Sequence, residues 1–298
     1  MSTVSVILVS YNHQKYISES IHSILSQQTE HDIELVWYDD CSTDDTVKIG
    51  TSILDKSSIE KKYIFPINNR KSYKIARWLS ILEQCSGDYI CTIEGDDFWI
   101  SKNKIENQIR LLQSSQSNIC FGPAVIVDPD SKPTGRCIAF HGEKLGIFPT
   151  QAVVDGDGGF MASASICIKS SVLQSLPDWF FGYVPVGDYP LQVLSSAKAG
   201  AIYYPEFTSA YRRGDPNSWT NINESSPDPV KRVEFVLEYL DLIVSMAKSK
   251  QLAVFSFDKI FKKYEKEAAH LAAQLNSEIY TQQISVAKLK MLEVLAKK

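Results

Sequence analysis

The fold of this chain is best read from residues 89–99, which run Tyr-Ile-Cys-Thr-Ile-Glu-Gly-Asp-Asp-Phe-Trp. The apolar run, rich in aromatic and β-branched residues, predicts a buried strand. The strand ends at three carboxylates within four residues, Glu94, Asp96 and Asp97. Such a cluster is costly unless a cation offsets the repulsion, and a divalent metal that holds a phosphorylated ligand is the economical explanation. An acidic loop in water is the plainer alternative.

Two earlier apolar runs, residues 4–10 and 33–38, also predict buried strands, and each is followed by a helical pattern. Strand and helix alternating at this spacing predict βαβ units and a parallel sheet covered by helices. Ligands of such sheets bind beyond the carboxyl ends of the strands. We therefore expect one crevice lined by residues at three strand ends: Ser10, Tyr11, Asn12, Asp39, Asp40 and the cluster of Glu94, Asp96 and Asp97.

The middle of the chain is less regular. Residues 119–127 predict one strand, and residues 128–160, rich in Gly, Pro and Asp, predict an irregular loop. Within it, residues 155–159 tempt one toward a calcium loop, but they lack its glycine at position six and its glutamate at position twelve, which favours a turn. A further helix is predicted over residues 191–198.

Composition and charge narrow the class of protein. The net charge of −4 over 298 residues argues against nucleic acid as a partner. The six cysteines form no CxxC pair, so neither a zinc site nor a disulfide framework is predicted. Neither an export signal nor an apolar run long enough to span a bilayer is apparent. These features favour a cytoplasmic location, with peripheral contact at the inner face of the membrane as an option.

The last part of the chain differs from the rest. Residues 225–229 read Ser-Ser-Pro-Asp-Pro, and from Pro229 onward there are 12 Lys and Arg against 8 Asp and Glu, or +4, which leaves −8 for the first part. Apolar residues recur at helical spacing there. We predict a main domain over residues 1–224 and a helical extension over residues 225–298. The apolar faces of the extension could pack on the main domain, on a second copy in a homodimer, or on a membrane surface.

Five stretches, taken in order, resemble family 2 glycosyltransferases. They are Val-Ser-Tyr-Asn at 9–12, Tyr-Asp-Asp-Cys-Ser-Thr-Asp-Asp-Thr at 38–46, Glu-Gly-Asp-Asp-Phe-Trp at 94–99, Gly-Asp-Tyr-Pro-Leu at 187–191 and Tyr-Arg at 211–212. The resemblance covers roughly residues 3–220. It implies an α/β fold of the GT-A-like Rossmann type, with a mostly parallel sheet flanked by helices and a C-terminal helical extension. It also implies a nucleotide-sugar donor and Mn²⁺ or Mg²⁺.

The resemblance further implies roles for individual residues. Tyr11 would stack on the nucleobase, Asp40 would hydrogen-bond the base edge, and Asp39 would orient the loop. Asp96 would be the metal ligand, with Asp97 supporting it or contacting the donor. Each role has a plainer alternative. Tyr11 could be a core tyrosine, Asp39 or Asp40 a helix N-cap, and Arg70 a solvated cation. Further contacts to the donor are expected from Ser10, Asn12, Arg70, Glu94, Arg212 and Arg213.

Asp188 stands where the family places its catalytic base. Transfer with inversion needs an acceptor hydroxyl to attack the anomeric carbon from the face opposite the leaving diphosphate, and a carboxylate on that face can take the proton. A helix N-cap is the alternative for Asp188, because Tyr189 and Pro190 follow it. Residues 158–163 are expected near the transferred sugar by position alone.

The sequence departs from the family pattern in several places. Glu94 replaces the commoner aspartate of the metal motif, Gly187 stands where an acidic residue often precedes the base, and no histidine closely follows Arg212. The Gln-x-x-Arg-Trp signature of polymerising members is absent, which favours a non-processive enzyme.

The resemblance thus implies a metal-dependent, inverting glycosyltransferase that moves one sugar from a UDP-linked donor to a saccharide or lipid-linked acceptor in surface polysaccharide or lipopolysaccharide assembly. Two alternatives stay open. One is a catalytically silent module on the same fold that binds a glycan or a partner. The other is a nucleotide-sugar pyrophosphorylase, which is disfavoured because residues 4–16 hold no glycine.

Overall fold

The structure, a computed structural model, describes residues 1–68, 77–215, 218, 220 and 226–297. Its strands are β1 Thr3–Ser10, β2 Asp32–Asp39, β3 Glu60–Ile64, β4 Tyr89–Glu94, β5 Phe98–Trp99, β6 Ile119–Phe121, β7 Ala124–Val127, β8 Pro133–Ile138, β9 Gly146–Phe148, β10 Cys167–Lys169, β11 Ala201–Tyr203 and β12 Ser209–Arg212. Its α-helices are α1 Ile17–Leu25, α2 Thr46–Leu54, α3 Trp78–Leu82, α4 Lys104–Gln113, α5 Thr150–Gly156, α6 Asp188–Ser196, α7 Pro229–Lys248, α8 Asp258–Gln274 and α9 Glu278–Leu295.

Eight strands form the main sheet, in the order β3-β2-β1-β4-β10-β6-β11-β9. The first four run parallel, as the strand–helix alternation predicts. β10 is antiparallel to both of its neighbours, β11 is parallel to β6, and β9 is antiparallel to β11. The sheet is therefore parallel on one side and mixed on the other.

A smaller sheet of four strands, in the order β5-β12-β7-β8, includes the strand that directly follows the acidic cluster. Two predictions fail here. The single strand expected over residues 119–127 is divided into β6 and β7, which belong to different sheets. Residues 128–160 contain β8, β9 and α5 instead of an irregular loop, because edge strands in polar, Gly-rich sequence draw their pairing from neighbours rather than from a local apolar pattern.

The core lies on both faces of the main sheet. Successive side chains of β1 alternate between the faces: Val6 and Leu8 pack under α1 and α4, whereas Ile7 belongs to a larger cluster on the other side. That larger cluster also contains buried residues of α7, α8 and α9, among them Leu240 and Phe261. The C-terminal residues are helical as predicted, and they complete one face of the core. None of the described helices combines the length and the apolar composition needed to cross a bilayer.

At the amino ends of the parallel strands, a buried glutamate ties the sheet together. Glu34 of β2 accepts hydrogen bonds from Ser5 Oγ of β1 at 2.5 Å and from Lys62 Nζ of β3 at 2.7 Å. It also accepts from the amides of Ser86 and Gly87, at 2.5 and 3.2 Å, in the turn before β4. Burial alone would raise the pKa of Glu34, but these donors outweigh it and lower the pKa to about 2.

Candidate active site

The register of the sheet brings the three polar strand ends side by side. Ser10 of β1 lies opposite Asp39 of β2, and Val9 lies opposite Glu94 of β4. Parallel pairing in register leaves all three carboxyl ends at one edge. The three strand ends that the sequence predicts to meet therefore lie side by side at this edge.

The first two strand ends are joined by short hydrogen bonds. Asp39, which is buried, accepts from Ser10 Oγ at 2.5 Å and from the amide and hydroxyl of Ser42 at 2.7 Å. Asn12 adopts a positive φ of 55°, and its Oδ1 accepts from the amide of Thr43 at 2.8 Å. Asp39 and Asn12 thus fasten one loop to the other and turn their polar atoms inward, toward protein.

Tyr11 and Asp40 lie on the open side of these loops. The Tyr11 ring is 43% exposed, which contradicts the alternative of a core tyrosine. Asp40 is partly buried, and Tyr38 Oη lies 3.4 Å from its Oδ1. α2 begins at Thr46, whose amide donates to Asp44 at 3.0 Å, so neither Asp39 nor Asp40 caps that helix. Arg70, the other nucleotide contact expected in this region, lies outside the described residues.

The acidic cluster contains carboxyl groups of two kinds. Asp96 is partly exposed, with 20% of its side chain accessible. Asp97 is buried and accepts a hydrogen bond from the Arg212 amide at 2.9 Å. Burial, followed by the charges of Asp96 and Asp188, raises the pKa of Glu94 to about 8, and burial with the charge of Asp96 raises that of Asp97 well above its usual range. The site therefore holds more negative charge than the protein around it neutralises.

Arg212 supports this cluster from β12. Its guanidinium donates to the carbonyl oxygens of Asp96 and Asp128 at 2.8 and 3.0 Å, to Ser131 Oγ at 3.0 Å, and to Glu19 at 2.7 Å. Only 1% of the Arg212 side chain is exposed. These bonds disfavour the expected contact between Arg212 and a diphosphate, because the fork is already bound by protein. The neighbouring Arg213 is exposed and could reach a ligand.

Asp188 is the first residue of α6, and Gly187 is the cap residue, so the alternative of Asp188 as N-cap does not hold. Its Oδ1 accepts from the amide of Tyr189 at 2.9 Å and its Oδ2 from Ser163 Oγ at 3.2 Å. Burial raises the pKa of Asp188. Ser163, which donates to Asp188, also accepts a hydrogen bond from Thr92 Oγ1 of β4 at 2.7 Å. The Asp188 and Glu94 carboxyl groups therefore lie near each other although they are 94 positions apart, and the charge of Asp188 raises the pKa of Glu94.

The sequence did not indicate two further side chains near these carboxyl groups, Arg77 and His13. Arg77 lies where its charge lowers the pKa of both Glu94 and Asp188, and its buried Nε has no hydrogen-bond partner among the described residues. His13 Nε2 lies 3.8 Å from Asp96 Oδ2, and its buried Nδ1 also has no such partner. His13 directly follows the first strand-end motif, so its position could have suggested it. Arg77 gave no local signal.

Two glycines fit the site closely. A β-carbon at Gly95 would lie 2.8 Å from His13 Nδ1, so the glycine lets the histidine approach the turn between Glu94 and Asp96. A β-carbon at Gly187 would lie 2.2 Å from Trp78 Nε1. The absence of an acidic residue at position 187 therefore has a steric cause, since no side chain fits beneath the indole.

The fit of a divalent cation depends on these donors. Among the described residues, no three His, Cys, Asp or Glu side chains form a complete metal cage. Asp96 nevertheless offers an accessible carboxylate next to the buried Asp97, near the partly buried Glu94 and beside a His13 nitrogen that has no partner among the described residues. A cation that takes one or two protein carboxylates and completes its shell with phosphate oxygens and water suits this arrangement. Asp96 is the accessible carboxylate of this cluster that such a cation could reach.

Comparison with known proteins settles the family. The sequence model of glycosyl transferase family 2 matches residues 5–176, more than half of the chain. The chain belongs to glycosyl transferase family 2. The match covers the first two strand ends, the acidic cluster and Ser163. Asp188, α6 and the C-terminal helices of this family 2 member lie beyond it.

Relatives and solved structures extend the comparison. The chain is 34% identical over 116 residues to the UDP-Glc:alpha-D-GlcNAc-diphosphoundecaprenol beta-1,3-glucosyltransferase WfaP of Escherichia coli. The aligned segment covers 39% of this chain and 43% of WfaP. The chain spans about half or less of the length of the curated relatives that it matches. The TarS fragment 1–349 of S. aureus, in complex with UDP-GlcNAc, superposes with a TM-score of 0.62 at 14% identity, over 90% of this chain and 71% of that one.

A second solved structure shows the same architecture. The mannosyltransferase PcManGT of Pyrobaculum calidifontis, in complex with GDP-Man and Mn²⁺, superposes with a TM-score of 0.54 at 14% identity, over 100% of this chain and 76% of that one. At this identity the likeness concerns the fold. The GT-A-like α/β fold expected for this family 2 glycosyltransferase is thereby confirmed.

Proposed function

We propose that this protein is a metal-dependent, inverting, non-processive glycosyltransferase. It would move one sugar from a UDP-linked donor to a saccharide or lipid-linked acceptor in the assembly of a surface polysaccharide or lipopolysaccharide. The observation that carries the proposal is that Glu94 and Asp96, at the end of β4, lie near Asp188 of α6, which is tied to β4 through Ser163 and Thr92. The nucleotide sugars bound by TarS and PcManGT, and the UDP-glucose named for WfaP, support the donor class.

The donor would lie across the loops that follow β1 and β2. The exposed Tyr11 offers a ring face for the nucleobase. The Asp40 amide donates to the carbonyl of Ser10, the residue before Tyr11, at 2.8 Å, and the Asp40 carboxylate would meet the base edge. Ser10, Asn12 and Asp39 shape these loops through their mutual hydrogen bonds rather than by touching the donor. Arg213, whose side chain is exposed, would contact the diphosphate. When bound at Asp96, the metal would neutralise charge that develops on the leaving diphosphate.

The acceptor would be activated by Asp188. A carboxylate accepts the hydroxyl proton best when its pKa lies close to the working pH, and burial moves Asp188 in that direction. Ser163 Oγ and the Tyr189 amide fix the carboxylate by hydrogen bonds to its two oxygens. Arg77 offsets the negative charge that Glu94 and Asp188 would otherwise share.

The test compares two substitutions against a panel of nucleotide sugars. Thermal stability is measured for each sugar with and without Mn²⁺, since a ligand that binds the native state raises its apparent stability. The sugar with the largest Mn²⁺-dependent shift then serves in a hydrolysis assay. Asp96→Ala should lose the Mn²⁺-dependent shift, because it removes the accessible carboxylate. Asp188→Asn should keep that shift and lose about 10²- to 10⁴-fold in turnover.

Asp241→Asn is the matched control, because it neutralises an aspartate that is 63% exposed on α7, on the surface of the C-terminal helices. It should leave both measurements unchanged. Turnover within twofold of the parent in both Asp96→Ala and Asp188→Asn would contradict the proposed mechanism. Binding of nucleotide sugars without turnover in the parent would favour the silent binding module instead.

A further inference from the structure

We propose that Asp157 is a positioning residue for Asp188, and that the C-terminal helices act on the active site through it. The inference rests on the proposed function, because it takes Asp188 as the base. Asp157 lies between α5 and the short 3₁₀ turn Gly158–Phe160, in the stretch that the sequence suggested only as a turn.

The Asp157 carboxylate is held by residues more than 80 positions away along the chain. Tyr239 Oη of α7 donates to its Oδ1, and Tyr264 Oη and Lys263 Nζ of α8 donate to its Oδ2 at 2.6 and 2.8 Å. Its Oδ1 also accepts from the Gly158 amide at 2.8 Å. Only 13% of the side chain is exposed. Three side chains from α7 and α8 therefore hold one carboxylate, which lies between α5 and the Gly158–Phe160 turn.

The backbone of Asp157 is strained. Its φ of 63° and ψ of −172° lie in a region that is essentially restricted to glycine. Glycine occupies the next two positions, Gly158 and Gly159, yet position 157, where the backbone favours glycine, holds an aspartate. Such a conformation persists only where its surroundings enforce it. The four hydrogen bonds to the carboxylate supply that enforcement, and they explain what an aspartate provides that a glycine would not.

The turn that Asp157 fixes lies against the candidate base. A β-carbon on Gly158 would lie 3.9 Å from Asp188 Oδ2 and 3.7 Å from Tyr189 Cβ, which is ordinary contact distance. Gln192 Nε2 of α6 donates to the Gly158 carbonyl at 3.2 Å. The Tyr239 ring stacks on Tyr189 at 5.9 Å between centroids with an interplanar angle of 14°. Tyr239 thus contacts the first turn of α6 through Tyr189, and Asp157 is linked to the same turn through the adjacent Gly158.

The C-terminal helices therefore do more than cover apolar surface. They set the position of the Gly158–Phe160 turn and of the first turn of α6, between which the Asp188 carboxylate lies. A displacement of that carboxylate by about an ångström would cost rate without changing donor affinity, because the strand ends that shape the donor site lie on other elements.

The test uses the full chain and compares substitutions at Asp157 with a control inside the same helices. Asp157→Asn keeps the shape but loses the charge, and Asp157→Gly relieves the backbone while removing the carboxylate. Glu267→Gln breaks the Arg232–Glu267 ion pair between α7 and α8 without touching Asp157. The measurements are kcat for hydrolysis of the best nucleotide sugar from the panel, UDP affinity by calorimetry, melting temperature, and hydrogen exchange at residues 158–163 and 187–190.

Both Asp157 variants should lose about tenfold or more in kcat, with UDP affinity unchanged and exchange faster in both segments. Glu267→Gln should keep kcat and the exchange pattern even where it lowers the melting temperature. A kcat within twofold of the parent in Asp157→Asn, or a loss no larger than in Glu267→Gln, would overturn the inference.

Tyr264→Phe, which removes one hydroxyl from the cluster, covers the case in which the Asp157 variants do not fold. It should show a smaller loss of kcat with the same faster exchange, and unchanged kcat and exchange would count against the inference. An Asp188→Asn variant with full activity would instead refute the proposed function, and the exchange data would still report whether Asp157 fixes α6.

Discussion

Two glutamates on either side of β1 show opposite chemistry. Glu34 faces Ser5 near the amino end of the sheet, and Glu94 faces Val9 at the carboxyl end. Donors from the two neighbouring strands and from a turn outweigh the effect of burial and lower the pKa of Glu34 to about 2. Burial and neighbouring acids raise the pKa of Glu94 to about 8, and no described group donates a hydrogen bond to its carboxylate. The Glu34 carboxylate has several hydrogen-bond donors at one edge of the sheet, whereas the Glu94 carboxylate at the other edge has none among the described residues.

The contrast separates the parts of this molecule that serve stability from those that serve binding. A buried carboxylate with all its donors in place stabilises the fold. A group of carboxyls with too few donors costs stability, and it persists where a ligand or a cation will complete it. Glu34 is of the first kind, and Glu94 and Asp96 are of the second.

The largest expected effect breaks the support of the carboxyl edge. Arg212→Met should lower the free energy of unfolding by about 3–5 kcal/mol, because it removes four partly buried hydrogen bonds made by a buried guanidinium and leaves their polar partners unpaired. Urea unfolding measures this. Arg213→Met is the matched control on the same segment, and its exposed side chain predicts a change within about 0.5 kcal/mol. Equal effects of the two substitutions would show that the buried guanidinium does not stabilise the turn that contains Asp96 and Asp97.

A smaller effect sharpens the comparison at the amino edge through pH. The folded pKa of Glu34, about 2, lies below its ordinary value of 4.5, so its contribution is complete above pH 4.5 and is lost as the pH falls toward 2. The difference corresponds to about 3 kcal/mol of unfolding free energy. Glu34→Gln should remove this contribution at pH 7 and flatten the pH dependence in that window. Parallel stability curves for parent and variant between pH 4.5 and 2 would contradict it.

The smallest expected effect concerns the start of α6, where Gly187 precedes Asp188. Gly187→Ala should destabilise the protein by about 1–3 kcal/mol, because its methyl group would overlap the Trp78 indole. Gly146→Ala, where a β-carbon meets nothing within 4 Å, should change stability by less than about 0.5 kcal/mol. Thermal unfolding of both variants compares them directly. A Gly187→Ala protein as stable as Gly146→Ala would mean that the helix start can shift away from Trp78.

The sequence alone determined the parallel half of the main sheet and the polar ends of its strands. Long apolar runs, helical repeats between them and polar residues at each strand end predict parallel βαβ units, and parallel pairing then places those ends at one edge. The acidic cluster and Asp188 were visible because their residue types sit in short, ordered motifs. These features depend on neighbours that are close in sequence, so a local pattern is enough to find them.

Only the tertiary structure decided the rest. It placed β10 antiparallel between β4 and β6, assigned Arg212 to the acidic turn and revealed Arg77 and His13 beside the acids. It also joined Asp157 to Tyr239 and Tyr264. Each of these depends on which distant groups finally meet in the folded chain. Strands of three residues and single buried polar side chains carry too little pattern to reveal that in advance.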